Sequence, residues 1–164
     1  MFKKKIQKLR KSFLRRFLFL IKREKLSFKL NDIQLNLDIR DSIDREIFFT
    51  GYYEEKQIQY LIENIKKYNI NRFIDVGANI GVYALTIANS ISNIKIDAFE
   101  PHKGAFERME VNVKQNNFSN IIKCHNLALS DENKEGYLLA SSRFGEYQSG
   151  GAKLSSEGKM KIKQ

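Results

Sequence analysis

Two acids and two glycines carry the chemistry that is most visible in this sequence. Asp75 closes an apolar run, Gly77 and Gly81 follow it within FIDVGANIG (73–81), and Glu100 closes a second apolar run 19 residues after Gly81. Glycine has no Cβ, so the backbone at 77 and 81 can bend sharply and approach a ligand closely. A helix predicted to begin near Ile80 would present free N–H groups at this turn, and these favour a carboxylate or another anion. Asp75, at a strand end, can accept from an ammonium group. An amino-acid ligand carries both charges on one carbon. Glu100 can accept from two ribose hydroxyls, the part played by the acid about 20 residues beyond a dinucleotide-binding glycine turn.

The methionyl end of S-adenosyl-L-methionine matches the first pairing, and its ribose matches the second. The adenine would then lie near Pro101 and His102 on one side and the loop 127–131, ending in Asp131, on the other. A strand–glycine–helix turn also serves packing alone in many α/β proteins, and that bland reading stands beside the ligand reading. The spacing Gly77-Ala78-Asn79-Ile80-Gly81 is not the G-x-G-x-x-G of nicotinamide sites, and no G-x-x-x-x-G-K-[ST] phosphate loop occurs. His102 is expected at the surface near the pocket, His125 in a strand and the single Cys124 in the core. One cysteine and two histidines permit no internal disulfide and no zinc site of the usual kind, so no metal is expected.

The elements that must position these groups can be read from periodicity. Residues 26–39 alternate apolar and polar around Asn31-Asp32, the pattern of a β-hairpin. The stretch 41–53 reads as an apolar cluster closed by Gly51, and 54–68 as a helix with acids first and lysines last. Then come a strand (72–76), a helix (80–89), a strand (93–100), a helix (102–117) with Phe106, Met109 and Val113 inward, and a strand (121–129). Strand–helix–strand–helix–strand implies right-handed crossovers and a parallel sheet, which binds ligands beyond the carboxyl ends of its strands. A further strand, antiparallel in one reading, is expected at 136–140, and a loop from 141 turns into a strand at 160–163.

The formal charge of +10 is local. Residues 1–25 hold 11 of the 29 Lys and Arg and 1 of the 19 acids, so residues 26–164 balance at 18 of each sign. No basic groove for nucleic acid is expected on the main domain. Phe2, Ile6, Leu9, Phe13 and Phe17 share one helical face, and a basic amphipathic helix of this kind can lie on an anionic membrane surface. Packing on its own domain or a partner is the alternative. The apolar run at 17–21 is too short to span a bilayer or to form a signal-peptide core. A cytoplasmic location, peripheral at the inner membrane surface, is the expectation.

FIDVGANIG, with DAFEP (97–101), VNVKQNN (111–117) and HNLALSD (125–131), resembles the FkbM-family methyltransferases, and Gly51-Tyr52-Tyr53-Glu54 is similar to the segment before their first strand. The resemblance runs from about residue 33 to 162. It implies a class I, Rossmann-like methyltransferase sheet, here its N-terminal half with strands 3-2-1. A basic helix (1–25) and a hairpin-and-helix unit (26–71) precede a partial cofactor-binding domain (72–164). It also implies O-methylation of a hydroxyl on a sugar, glycan or natural product. Asp75, Gly77, Asn79 and Gly81 would meet the methionyl part, Glu100 the ribose, and residues 126–131, Asn126 to Asp131, would border the adenine. The family's later Lys-Ile-Asp-Val-Glu-Gly segment has no match before Gln164. A fragment of a longer chain is therefore expected, with its first parallel strand left as an edge. The rival readings are a cofactor-binding module without turnover and a membrane-surface interaction protein.

Overall fold

The computed structural model describes residues 24–131, 135–139, 153–155 and 160–163. The basic amphipathic helix expected at the N-terminus and the loop expected from 141 lie largely outside these residues. Two strands, β1 (Lys25–Leu30) and β2 (Ile33–Asp38), pair antiparallel as the expected hairpin, in register from Lys25 opposite Asp38 to Leu30 opposite Ile33. Asn31 takes a left-handed φ of 52° at the turn, which asparagine tolerates better than most residues.

The cluster after the hairpin is a helix, α1 (Ser42–Thr50), which periodicity alone does not reveal. Asp41 caps it, its side chain accepting from the Ile43 N–H at 3.0 Å, and Gly51 ends it in the left-handed conformation at φ 77°. Then α2 (Glu55–Lys67), α3 (Val82–Ser90) and α4 (Lys103–Gln115) alternate with β3 (Arg72–Val76), β4 (Lys95–Phe99) and β5 (Ile122–His125). The three strands form a parallel sheet in the order β3-β4-β5. This is the α/β, Rossmann-like arrangement expected, first strand at one edge. The third strand ends at His125, four residues before the expected end. A separate antiparallel sheet holds β6 (Glu135–Leu139) between β7 (Lys153–Ser155) and β8 (Met160–Lys163).

Register divides the parallel sheet into two faces. Phe73 and Asp75 line up with Ile96 and Ala98, and these with Ile122 and Cys124. On this side Ile96, Ala98 and Ile122 are buried, and α3 and α4 pack over it. The hairpin and α1 pack on those helices in turn, so one core joins Leu35, Leu37 and Ile47 to Ile80, Leu85, Ile87 and Met109. On the opposite face Ile74 and Val76 of β3 are 59% and 61% exposed. Among the described residues, β3 pairs on one side only.

The outer edge of β2 is closed by side chains rather than by a third strand. Asn116 Oδ1 accepts from the Gln34 N–H at 2.8 Å and its Nδ2 donates to Gln34 O at 2.7 Å, which imitates a strand partner. Asn112 Oδ1 accepts from the Asn36 N–H at 2.7 Å. The amide-rich segment of α4 thus satisfies a strand edge that would otherwise leave unpaired backbone groups inside the protein.

Candidate functional site

The glycine turn between β3 and α3 takes three left-handed steps, at Gly77 (φ 76°), Asn79 (φ 50°) and Gly81 (φ 85°). Only glycine, and at some cost asparagine, fits such positions readily. At Gly81 there is a second reason: an added Cβ would sit 3.0 Å from Met109 Cγ on α4. The turn is held to the end of β4, because the N–H groups of Gly77 and Ala78 both donate to Phe99 O, at 2.9 and 3.0 Å.

The expectation of several free amides at this turn needs correction. The N–H of Asn79 donates to Glu100 Oε2 at 2.8 Å, and that of Gly81 donates to Ala78 O at 2.8 Å. Helix α3 begins at Val82, two residues later than expected, because Gly81 serves as its N-cap. The Ala84 N–H is also engaged, donating to Asp75 Oδ2 at 3.2 Å. The amides of Val82 and Tyr83 lie outside these bonds, and both residues line the cleft above the turn. The anion-favouring part of the site is therefore the first turn of α3 rather than the glycine loop itself.

Asp75 stands at the end of β3 beneath that helix start. Burial pushes its carboxyl up to about 6, against the opposing pull of the Ala84 N–H. Glu100 is more enclosed than expected, at 5% exposure. Its Oε1 accepts from the His102 N–H at 2.7 Å while Oε2 holds Asn79, so the residue braces the turn it was expected to serve only as a ligand acceptor. Burial raises its pKa, and the two N–H donors oppose the rise. A carboxylate has about four lone-pair sites, so acceptor capacity for two hydroxyls remains.

His102 is buried, not at the surface as expected. Its Nδ1 accepts from the Ala105 N–H at 3.1 Å and caps α4, and burial lowers its pKa, which keeps the ring neutral. Asn126 Nδ2 donates to Glu100 O at 2.8 Å and to Pro101 O at 3.2 Å, tying the loop after β5 to the end of β4. Asp75, Gly77, Asn79, Gly81, Glu100, Pro101 and Asn126 thus gather at the carboxyl ends of β3 and β4. Asp131 is exposed and bonds with its neighbour Ser130 at 3.2 Å, away from the turn's own network.

Three residues of the site, Tyr53, Glu54 and Tyr83, carry no assigned role in the sequence. Tyr83 donates from its hydroxyl to Glu54 Oε2 at 2.6 Å, and Glu54 itself takes a left-handed φ of 44° at the start of α2. The cleft, of about 280 Å³, is lined by Tyr53, Glu54, Asp75, Asn79, Val82 and Tyr83 among others. Burial, with Glu54 close by, pushes the Tyr53 phenol up to about 12. Among the described residues the lining holds two carboxylates and no Lys, Arg or His. Such a wall favours a cation over a neutral or anionic ligand of the same shape.

No protein-family model matches the sequence, and no curated protein matches it either. Among solved structures, the chain is similar to a SAM-dependent methyltransferase from Agrobacterium tumefaciens, with 12% identity, a TM-score of 0.47 and coverage of 63% of this chain and 32% of that one. It is similar to TYW2 of M. jannaschii in complex with AdoMet, with 16% identity, a TM-score of 0.48 and coverage of 66% and 44%. For the hMettl16 catalytic domain in complex with an RNA hairpin the values are 18%, 0.46, 59% and 33%. The chain therefore spans less than half the length of each of these structures.

Proposed function

We propose that this chain carries the S-adenosyl-L-methionine site of a methyltransferase of the FkbM kind, which O-methylates a hydroxyl of a sugar, glycan or natural product. The observation that carries the reading is the convergence of Asp75, the first turn of α3 and Glu100 at the carboxyl ends of adjacent parallel strands. This is where such sheets hold ligands. An ammonium can meet Asp75, a carboxylate can meet the amides of Val82 and Tyr83, and ribose hydroxyls can meet the remaining lone pairs of Glu100. The acidic lining of the cleft suits a sulfonium cation. The residues present fit the cofactor.

When bound, the cofactor would supply an electrophilic methyl group on sulfur for transfer to an acceptor oxygen. The part this chain plays is to orient and desolvate. The turn, braced by Glu100 and Phe99 O, fixes the methionyl end, so that an acceptor placed in line gains from proximity. The basic segment 1–25 is proposed to hold the protein at the cytoplasmic face of an anionic membrane.

The test is transfer of a labelled methyl group from S-adenosyl-L-methionine to a panel of sugar, glycan and polyol acceptors, using the protein purified from its native source. Label in a hydroxyl acceptor, lost in Asp75→Asn, supports the proposal. Cofactor binding with no transfer to any acceptor would favour the binding-module reading instead.

A further inference from the structure

Asn112 occupies an unusual place for an asparagine. It lies on the inner face of α4 with no exposed surface, among Met109 and Val113. A buried amide must be bonded on both its oxygen and its nitrogen or it costs stability. Here both ends are bonded, and to different parts of the fold. Its Nδ2 donates to Ile80 O of the glycine turn at 3.0 Å. Its Oδ1 accepts from the Asn36 N–H of β2 at 2.7 Å and from Gln115 Nε2 at 3.3 Å.

The bond to Ile80 completes a set of restraints on the turn. Phe99 O holds the amides of 77 and 78, and Glu100 holds that of 79. The Ile80–Gly81 peptide, lying between the left-handed residues Asn79 and Gly81, is held at its N–H by Ala78 O at 2.8 Å and at its carbonyl by the Asn112 side chain. Rotating the peptide that contains this carbonyl would swing the Gly81 N–H and change the direction in which α3 starts. The amides proposed to meet the ligand belong to that start.

We infer that Asn112 is a positioning residue for the ligand turn, setting the Ile80 carbonyl and through it the first turn of α3 while anchoring both to the hairpin. The inference rests on the function proposed above. A neighbouring residue provides the contrast: Asn116 makes the same kind of bond to β2, at Gln34, and its Nδ2 also donates to Asn112 O at 2.7 Å, but among the described residues it makes no hydrogen bond to the turn. Asn116 is a latch for the hairpin, whereas Asn112 reaches through to the site.

The test measures the dissociation constant for S-adenosylhomocysteine and the thermal midpoint of wild type, Asn112→Asp and Asn116→Ala at pH 8 and pH 5.5. In Asn112→Asp, the ionised carboxylate would keep an acceptor facing Asn36 but turn a second oxygen lone pair on Ile80 O. Once protonated, its O–H would donate to Ile80 O and restore the bond. The charged groups around this junction are Arg108, one turn earlier on α4 and paired with Asp41 and Asp44, and Asp75 and Glu100 at the turn. These are common to all three proteins, so each variant is compared with wild type at the same pH.

Asn112→Asp is expected to bind roughly tenfold more weakly than wild type at pH 8, the size of one lost hydrogen bond. That deficit is expected to shrink to less than about threefold at pH 5.5. Asn116→Ala is expected to lower the midpoint while leaving the dissociation constant within about twofold of wild type at both values. Equal deficits for the two variants, or a deficit in Asn112→Asp that does not change with pH, would overturn the inference. Should Asn112→Asp fail to fold, Asn112→Gln is measured instead, with the same tenfold weakening expected and wild-type affinity contradicting it. Absence of binding by wild type itself would count against the proposed function rather than against this role.

Discussion

Asp75 and Ala84 are joined across the ligand turn: the carboxylate at the end of β3 accepts the Ala84 N–H of α3 at 3.2 Å. The acid expected to meet a ligand ammonium is thus also the side-chain cap of the helix whose first amides face the same cleft. One residue couples the two halves of the site, and its protonation acts on both.

That coupling predicts a pH dependence of binding. Burial holds Asp75 near 6 in the free protein, and the α-ammonium of the ligand prefers the ionised form. Lowering the pH from 7.5 to 5 is expected to weaken S-adenosylhomocysteine binding about tenfold through this group. In Asp75→Asn the affinity should already be low at pH 7.5 and should have lost most of its slope. Calorimetric titration at four or five pH values checks this, and a wild-type slope that survives in the variant would remove Asp75 from the site.

A second prediction concerns stability. Asp44 is fully buried, with Oδ2 accepting from the Asp38 N–H at 2.7 Å and lying 3.4 Å from Arg108 Nε, while Oδ1 has no hydrogen-bond partner among the described residues. Burial raises its carboxyl to about 7 despite Arg108. The folded state therefore holds this proton more tightly than the unfolded chain does. The stability it contributes is full below about 4 and is lost as pH rises towards about 7. Asp38, held down by Arg40, works in the opposite direction at lower pH. The difference in thermal midpoint between Asp44→Asn and wild type should therefore change between pH 5 and 8. A constant difference would show that Asp44 does not titrate in this window.

The two left-handed glycines at helix boundaries should respond unequally to alanine. At Gly51, φ is 77° and nothing lies within 4 Å of an added Cβ, so only the backbone penalty of about 1–2 kcal/mol applies. At Gly81 the same penalty is joined by the contact with Met109 Cγ at 3.0 Å, worth roughly 1 kcal/mol or more of overpacking. Urea unfolding of Gly51→Ala and Gly81→Ala should separate them in that order, and equal losses would mean that the helix moves away at little cost.

The parts of this fold governed by local periodicity are open to reading from the sequence. The alternation of 26–39, the helical faces of 54–68 and 102–117 and the apolar runs ending at Asp75 and Glu100 all return as elements within a few residues. Helix α1 does not, because Ile47, Phe48 and Phe49 read equally well as a strand; its markers are the cap at Asp41 and Gly51 beyond its end. The third strand stops short because Asn126 bonds to the backbone of Glu100 and Pro101 and turns the chain. His102, Glu100 and Asn112 escape a local reading for one reason. Each is a polar residue whose burial depends on a partner outside its own periodic pattern, and that pattern does not reveal the partner. The site residues Tyr53, Glu54 and Tyr83 belong here too, since the Tyr83–Glu54 bond spans 29 positions.

The most direct measurement is titration of this chain with S-adenosylhomocysteine at pH 7.5, in wild type, Asp75→Asn and Glu100→Gln. The account predicts saturable one-to-one binding that each substitution weakens by roughly tenfold or more, with circular dichroism showing the variants folded. A folded wild-type chain that shows no binding at about 1 mM ligand, or variants that bind as tightly as wild type, would contradict it.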